Sequence, residues 1–140
     1  MNTVSEKKIV SFPTSYLPSV EYIKLLSAQK EISIDLNERY KKQTVRNRCF
    51  ILSPNGVQSL TVPVIFHSSQ QEKTATIKIS YSEPWQKIHC RAIQSAYGRS
   101  AWFEFIYSDL ESIINTHFEY LHELNTSILL FLIRKFKIPL

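Results

Sequence analysis

The amino-acid sequence predicts an α+β fold, with a mixed or antiparallel sheet of four to five strands in the N-terminal half and a helical C-terminal half. Three observations support this prediction: alternating apolar residues up to residue 81, an Asn55-Gly56 turn signal, and apolar residues at helical spacing from residue 85 onward. A Rossmann-like sheet is the alternative architecture. With 140 residues, of which 44% are apolar, the chain is long enough to form one domain, residues 1–140, around a buried core.

The N-terminal half is predicted to contain the strands and one helix. The helix begins near Pro18 or Ser19, because apolar residues recur after this point at helical spacing. Asn-Gly between two β-rich runs is a strong hairpin signal, and Pro63 must end the second of these runs or place it at a sheet edge. The predicted strands cover residues 8–12, 32–36, 48–52, 57–64 and 75–81.

Helix signals dominate the C-terminal half. Ser82-Glu83-Pro84 opens a helix that Gly98 closes. Another helix follows Ser100, and two capping-box patterns predict further helix starts, one at Ser108-x-x-Glu111 and one at Thr116-x-x-Glu119. The inward stripe of the first of these helices contains Trp85, Ile88, His89, Ala92, Ile93 and Ala96.

Composition excludes several classes of function. Only two glycines occur, so the chain lacks the glycine-rich loops that hold phosphates in GxGxxG and P-loop proteins. A formal net charge of +5 favours anionic partners without choosing among them. Nucleic acid is not an expected partner, because most aromatic residues fall on inward stripes and no RNP, KH or helix-turn-helix signature is present.

The cysteines and the start of the chain indicate the compartment. Cys49 and Cys90 form neither a disulfide framework nor a metal-ligand spacing, so the sequence predicts no metal site, and it names no cofactor. The N-terminus lacks the apolar region of a signal peptide, and no apolar run is long enough to span a bilayer. We therefore expect a cytoplasmic protein without a transmembrane segment.

A basic segment leads into the predicted hairpin and is the first candidate site. If residues 42–48 are extended, Lys42, Arg46 and Arg48 point to the same face, with the two arginines about 7 Å apart. Such a row suits a phosphate or carboxylate, which arginine can bind with two parallel hydrogen bonds. The alternative is that these residues are solvated charges on a strand that enters the core.

His89 is the candidate for proton transfer. It follows Trp85 by one helical turn, and an imidazole beneath an apolar ring can act as a general acid or base near neutral pH. The alternative is a core histidine whose ring is satisfied by a backbone carbonyl. Tyr16 and Tyr22 bracket Pro18 at the start of the first helix, where they either form the lip of an anion-binding site or pack in the core.

These residues also carry a resemblance to a known family. The sequence Lys42-Gln43-Thr44-x-Arg46-Asn47-Arg48-Cys49, with Tyr16-Leu17-Pro18 before it and Trp85, His89 and Tyr97 after it, resembles the WbqC-like protein family. The resemblance spans about residues 9–107 and implies a role in assembling O-antigen or other surface polysaccharides. It implies either a transferase that acts on an activated or amino sugar or a non-catalytic binding or accessory protein of the same pathway.

The resemblance also suggests roles for individual residues. Lys42, Arg46 and Arg48 would hold the anionic group of a ligand such as a nucleotide sugar or phosphosugar. His89 would transfer a proton. The walls of the site would come from Tyr16, Trp85 and Tyr97.

The resemblance further predicts a C-terminally shortened chain, because family members usually continue beyond its last helix. The run at residues 128–133 is apolar on all sides of a helix and needs cover on every side. We therefore expect either a homo-oligomer formed through this helix or a shortened relative that is prone to associate.

Overall fold

The computed structural model describes residues 9–67, 71–101 and 103–139, and it confirms the α+β class. Strands lie in the N-terminal half and helices fill the C-terminal half. The first residue of the first predicted strand, Lys8, lies outside the described residues. In chain order the elements are β1 (Val10–Pro13), α1 (Val20–Ser27), β2 (Ile32–Asp35), β3 (Arg48–Ser53), β4 (Gly56–Thr61), β5 (Val64–Ile65), β6 (Lys78–Ile79), α2 (Trp85–Tyr97), α3 (Phe103–Ile114) and α4 (Leu121–Lys135).

The described strands form three two-stranded sheets instead of the single sheet expected. β1 and β2 are parallel and are connected through α1, whereas β3 pairs with β4, and β5 with β6, in the antiparallel direction. The Val62 N–H still donates to the carbonyl of Asn47, the next pair in the hairpin register, but Pro63 has no N–H, so the strand ends beside it as the sequence predicts. No doubly wound sheet occurs among the described residues, which removes the Rossmann-like alternative.

The β3–β4 hairpin confirms the turn signal in the sequence. Ser53 pairs with Gly56 across the two turn residues between them. Gly56 has a φ of 112°, a backbone conformation that other residues rarely adopt. Cys49 and Ile51 face the core from β3, so the predicted alternation of this strand is also confirmed.

The strand predicted at residues 75–81 is much shorter in the structure. Thr74–Thr76 form a single turn of 3-10 helix, in which the Ile77 N–H donates to the carbonyl of Thr74. Only Lys78 and Ile79 then pair as β6. Ile77 and Ile79 are nevertheless buried, so alternate residues of this segment still face the core.

Helix α2 confirms the helix predicted between Pro84 and Gly98. Trp85, His89 and Ile93 are buried on its inward face, against β3 and α3. Ile88 was also predicted on the inward stripe, but it is 52% exposed, so the prediction is wrong for this residue.

The two capping-box predictions are wrong. Helix α3 continues through Ser108, and Thr116 donates its hydroxyl hydrogen to the carbonyl of Ser112 at the end of that helix. Helix α4 begins after Tyr120, whose N–H donates to the carboxylate of Glu123. The cap that starts α4 therefore uses a carboxylate from a later glutamate than the pattern predicted.

Two clusters of buried side chains form the core. The larger one joins the β3–β4 hairpin to α2, α3 and α4, and a smaller one packs α1 and the β1–β2 sheet against α4. The apolar run of α4 serves both clusters, because Ile128 belongs to the larger one and Leu129 to the smaller one. The expectation that this run needs cover from outside is therefore wrong for most of its length, and Leu130 alone in it is clearly exposed, at 45%.

No described helix combines the length and the apolar character that crossing a membrane would require.

Candidate functional site

The basic segment is a series of turns rather than a strand. Residues 42–47 curl before β3 begins at Arg48, so Lys42, Arg46 and Arg48 do not form the predicted row on one face. The N–H groups of Asn47 and Arg48 both donate to the carbonyl of Thr44, and the Thr44 hydroxyl donates to the carbonyl of Lys41. Such local hydrogen bonds from threonine compete with extended structure, and here they win.

Arg46 points away from solvent and holds the turns in place. Its Nε lies 2.6 Å from a carboxylate oxygen of Glu38, and its Nη1 donates to the Thr44 hydroxyl at 3.2 Å. The residue is only 9% exposed. Lys42, in contrast, is exposed and has no hydrogen bond or ion pair among the described residues.

Arg48 is the arginine that can meet a ligand. Its Nε donates to the hydroxyl of Thr61, its neighbour across the hairpin, at 3.0 Å. Its two terminal nitrogens have no hydrogen bond or ion pair within the part of the chain that the structure describes. These two nitrogens carry the donors that bind a phosphate or carboxylate side by side.

Arg48 lines a pocket of about 500 Å³, which we call the Arg48 pocket. The pocket lies between the segment that enters α1, the turns before β3, and the start of β3. Its volume falls within the range of small-molecule sites. Its lining residues are Ser15, Tyr16, Leu17, Ser19, Tyr22, Gln43, Thr44, Val45, Arg48, Cys49 and Phe50.

Backbone geometry marks the rim of the Arg48 pocket. Leu17 and Gln43 both have positive φ, 43° and 56°, which is uncommon for residues other than glycine. The Tyr16 N–H donates to the carbonyl of Val45 at 2.9 Å and ties the two loops together. Unusual backbone conformations of this kind cluster at ligand-binding sites, where the surrounding structure holds them.

Tyr16 connects the Arg48 pocket to His89. Its hydroxyl lies 2.7 Å from Nδ1 of His89, and Nε2 of His89 lies 3.1 Å from the carbonyl oxygen of Thr61. Because a carbonyl can only accept, Nε2 carries the hydrogen and Nδ1 accepts from the Tyr16 hydroxyl. Both ring nitrogens are thereby satisfied, as expected of a core histidine.

Burial controls the protonation of this pair. It lowers the pKa of His89 to about 4, while the hydrogen bond to the Thr61 carbonyl opposes that shift. Burial also raises the pKa of the Tyr16 hydroxyl well above 10. At neutral pH both side chains are therefore uncharged.

Trp85 and Tyr97 lie in different places relative to His89. The Trp85 ring packs edge-on against the His89 ring, with centroids 5.2 Å apart, which is the apolar roof that the sequence predicts. Tyr97 lies at the other end of α2, where its hydroxyl accepts the N–H of Leu52. It lines a separate pocket of about 240 Å³ between α2 and α3, so the structure does not bring it to the Arg48 pocket.

Comparison with known proteins now decides the family. The model of the WbqC-like protein family matches residues 14–140, which include every residue of the Arg48 pocket. This chain belongs to the WbqC-like protein family. It is also 31% identical over 122 residues to an uncharacterized protein of Mycobacterium tuberculosis, Rv1507c. That alignment covers 87% of this chain and 50% of the relative, so the chain spans half the length of its relative. No solved structure matches it.

Asn125 supports the site of this WbqC-like protein, and sequence analysis did not single it out. It is 1% exposed in α4, and its Nδ2 donates to the hydroxyl of Thr14 and to the carbonyl of Arg46. It therefore ties the last helix to both loops that form the Arg48 pocket. Its signal in the sequence is that it falls on the helical stripe of Leu121, Leu124 and Ile128, where a polar residue is unusual.

Neither cysteine of this WbqC-like protein is an activated thiol. Burial raises the pKa of Cys49 to about 12 and that of Cys90 to about 11, with nearby Glu111 adding to the rise at Cys90. Thiols with such pKa values are protonated near neutral pH and make weak nucleophiles. Cys49 therefore contributes an apolar surface to the Arg48 pocket.

Proposed function

We propose that this protein binds the anionic group of an activated sugar in the Arg48 pocket and acts in the assembly of surface polysaccharides of the O-antigen type. The observation that carries the proposal is the pocket itself, where the terminal nitrogens of Arg48 have no hydrogen bond or ion pair with any residue that the structure describes. Membership of the WbqC-like family supports the pathway.

The chemistry of the lining supports an anionic ligand. Arg48 brings a permanent positive charge, and no acidic side chain is among the described residues that line the pocket. Ser15 and Gln43 add neutral hydrogen-bonding groups, whereas the Thr44 hydroxyl is already engaged by Lys41 and Arg46. The start of α1 opens on the pocket at Ser19, where the helix dipole is positive, although the Ser19 hydroxyl already accepts the N–H of Tyr22.

The other predicted site residues have supporting parts in this proposal. Arg46 and Trp85 would not contact the ligand. Arg46 holds the turns before β3 in place, and Trp85 packs against the His89 ring. Lys42 and Tyr97 do not line the Arg48 pocket. Their contact with the ligand therefore stays a prediction.

A transferase is the second candidate function, and the hydrogen bond between Tyr16 and His89 favours it. A proton from a substrate amine or hydroxyl would pass to the Tyr16 oxygen while the Tyr16 proton moves to Nδ1 of His89. The burial that keeps His89 neutral opposes this step, since the step creates an imidazolium. Tyr16 is itself 0% exposed, so a substrate reaches its oxygen only if the surrounding loops move. Binding without catalysis is therefore the version that the geometry supports better.

A thermal-shift screen tests the binding proposal. Nucleotide sugars and sugar phosphates are added to the wild-type protein, to Arg48→Ala and to Arg91→Ala, an exposed arginine of α2 that gives the same change of charge. A ligand at 100 times its dissociation constant stabilises the wild type and Arg91→Ala by about 2.7 kcal/mol, and this stabilisation is lost in Arg48→Ala. Equal stabilisation of all three proteins would refute binding through Arg48.

The same ligands separate binding from catalysis. His89→Gln keeps a donor for Thr61 and an acceptor for Tyr16 but cannot take up the transferred proton. If the protein only binds, the wild type and His89→Gln both bind the ligand and neither shows turnover. A transferase turns over in the wild type and loses turnover, but not binding, in His89→Gln.

A further inference from the structure

Phe50 is an exposed aromatic ring on the rim of the Arg48 pocket. It is 66% exposed, although its neighbours Cys49 and Ile51 in β3 are buried. Its partner across the hairpin is Ser59, and no other aromatic ring of the described residues packs against it. One exposed phenylalanine is ordinary, but this one lines a ligand-sized pocket.

Arg48 and Phe50 form a pair on one face of β3. They are two residues apart, so their side chains leave the strand on the same side, roughly 7 Å apart along it. Arg48 offers donors to a phosphate, and Phe50 offers a flat apolar surface beside that phosphate. A nucleotide has the matching arrangement, because one ribose separates its phosphate from a flat aromatic base.

We infer that the ring of Phe50 stacks on the nucleobase of a nucleotide whose phosphate is held by Arg48. The inference rests on the proposed function and makes it more specific, since the ligand becomes a nucleotide or nucleotide sugar rather than a plain sugar phosphate. Stacking on an aromatic side chain tolerates any base, because every base has a π-face. The inference thus predicts that ligands with a base bind more tightly than ligands without one, and that the identity of the base matters little.

The test compares phosphates with and without a base. Uridine 5′-monophosphate and ribose 5-phosphate share the ribose and the phosphate, guanosine 5′-monophosphate changes the base, and glucose 1-phosphate offers a sugar ring instead. Dissociation constants are measured by titration calorimetry for the wild type, Phe50→Ala, Phe50→Tyr and Leu52→Ala. Leu52 is the matched control, because it is 67% exposed on the same side of β3 but does not line the pocket.

Phe50→Ala is expected to weaken both nucleoside monophosphates by about 5- to 150-fold, the range for loss of a stacked base. Ribose 5-phosphate and glucose 1-phosphate should change less than about twofold, and Phe50→Tyr and Leu52→Ala should bind all four ligands like the wild type. The inference is overturned if Phe50→Ala weakens all four ligands equally, weakens none, or weakens glucose 1-phosphate most. It is also overturned if Leu52→Ala matches Phe50→Ala, which would indicate a general apolar surface for another protein chain.

Failure of the inference can be told apart from failure of the proposed function. Arg48→Ala should weaken all four phosphates, including the two without a base. If it does so while Phe50→Ala has no effect, the anion site stands and only the stacking is wrong. If no phosphate binds the wild type, or if Arg48→Ala binds all four like the wild type, the proposed function fails and the inference fails with it.

Discussion

At the residue scale, Arg46 and Arg48 show how equal charges acquire different tasks. Arg46 is buried against Glu38, whereas Arg48 keeps the terminal nitrogens of its guanidinium available at a pocket. The sequence shows both arginines at the entrance of a strand and gives no reason to separate them. The difference arises because the turns around Thr44 rotate Arg46 inward, toward a glutamate that precedes them.

Arg46→Ala should destabilise the protein even without a ligand. The substitution removes a charged hydrogen bond between two poorly exposed side chains, which typically costs about 1.5–3 kcal/mol. Lys42→Ala is the control, because Lys42 is exposed and surface substitutions usually stay within about 0.5 kcal/mol. Urea unfolding measures both changes, and an Arg46→Ala variant as stable as Lys42→Ala would contradict the structural role.

His89 should make stability depend on pH. Its pKa is about 4 in the folded protein and near 6.5 when unfolded, so between these values the unfolded chain binds more protons. Stability contributed by neutral His89 is present above pH 6.5 and is lost as the pH falls toward 4, by up to roughly 3 kcal/mol.

Unfolding free energies of the wild type and His89→Gln, measured from pH 7.5 to pH 4, check this prediction. The difference between the two proteins isolates His89 from the carboxylates, which titrate in both. The wild type should lose more stability than the variant on acidification. Parallel curves would show that His89 is not held neutral by burial.

At the element scale, local signals in the sequence predicted what local forces determine. The β3–β4 hairpin and the span of α2 follow from a turn, a cap and periodicity, and both are confirmed. Other local signals failed, because the capping-box patterns at Ser108 and Thr116 start no helix and the basic segment forms turns. The remaining failures involve long-range contacts. Nothing near Asn125 in sequence shows that it will contact Thr14, 111 residues away.

Asn125→Leu should weaken both the fold and the Arg48 pocket. The change keeps the branching of the side chain but leaves the Thr14 hydroxyl and the Arg46 carbonyl without their donor, at about 1–3 kcal/mol for each buried group. Thr126→Leu is a control on the exposed side of the same helix. Thermal unfolding and phosphate titration should show a loss for Asn125→Leu alone, and normal binding in that variant would show that α4 does not position the loop.

At the scale of the whole molecule, α4 holds the two core clusters together. Ile128 and Leu129 face different clusters, and both are buried within the chain. The homo-oligomer expected from the apolar run stays a prediction. The apolar side chains at the end of α4 that it would use are Leu130 and Phe136, which are 45% and 47% exposed.

Glutamate substitutions distinguish the packing role of the apolar run in α4 from its predicted role in association. Leu129→Glu places a charge in the core and should unfold the protein, whereas Leu130→Glu should leave the unfolding midpoint nearly unchanged. Circular dichroism measures folding, and light scattering of wild type and Leu130→Glu measures the mass. A stable Leu129→Glu variant would contradict the described packing, and a wild-type protein with the mass of a single chain would contradict the oligomer.

We propose that an anionic group binds between Arg48, the turns before β3 and the start of α1. The most direct measurement is a nuclear magnetic resonance titration of ¹⁵N-labelled protein with ribose 5-phosphate, followed through the backbone amides and the arginine Nε signals. We predict that the Arg48 Nε signal and the amides of residues 15–19 and 43–50 shift together and saturably, while Arg46 and the amides around Tyr97 barely move. Saturable shifts centred on the α2–α3 pocket, or an Arg48 signal that does not respond, would contradict the account.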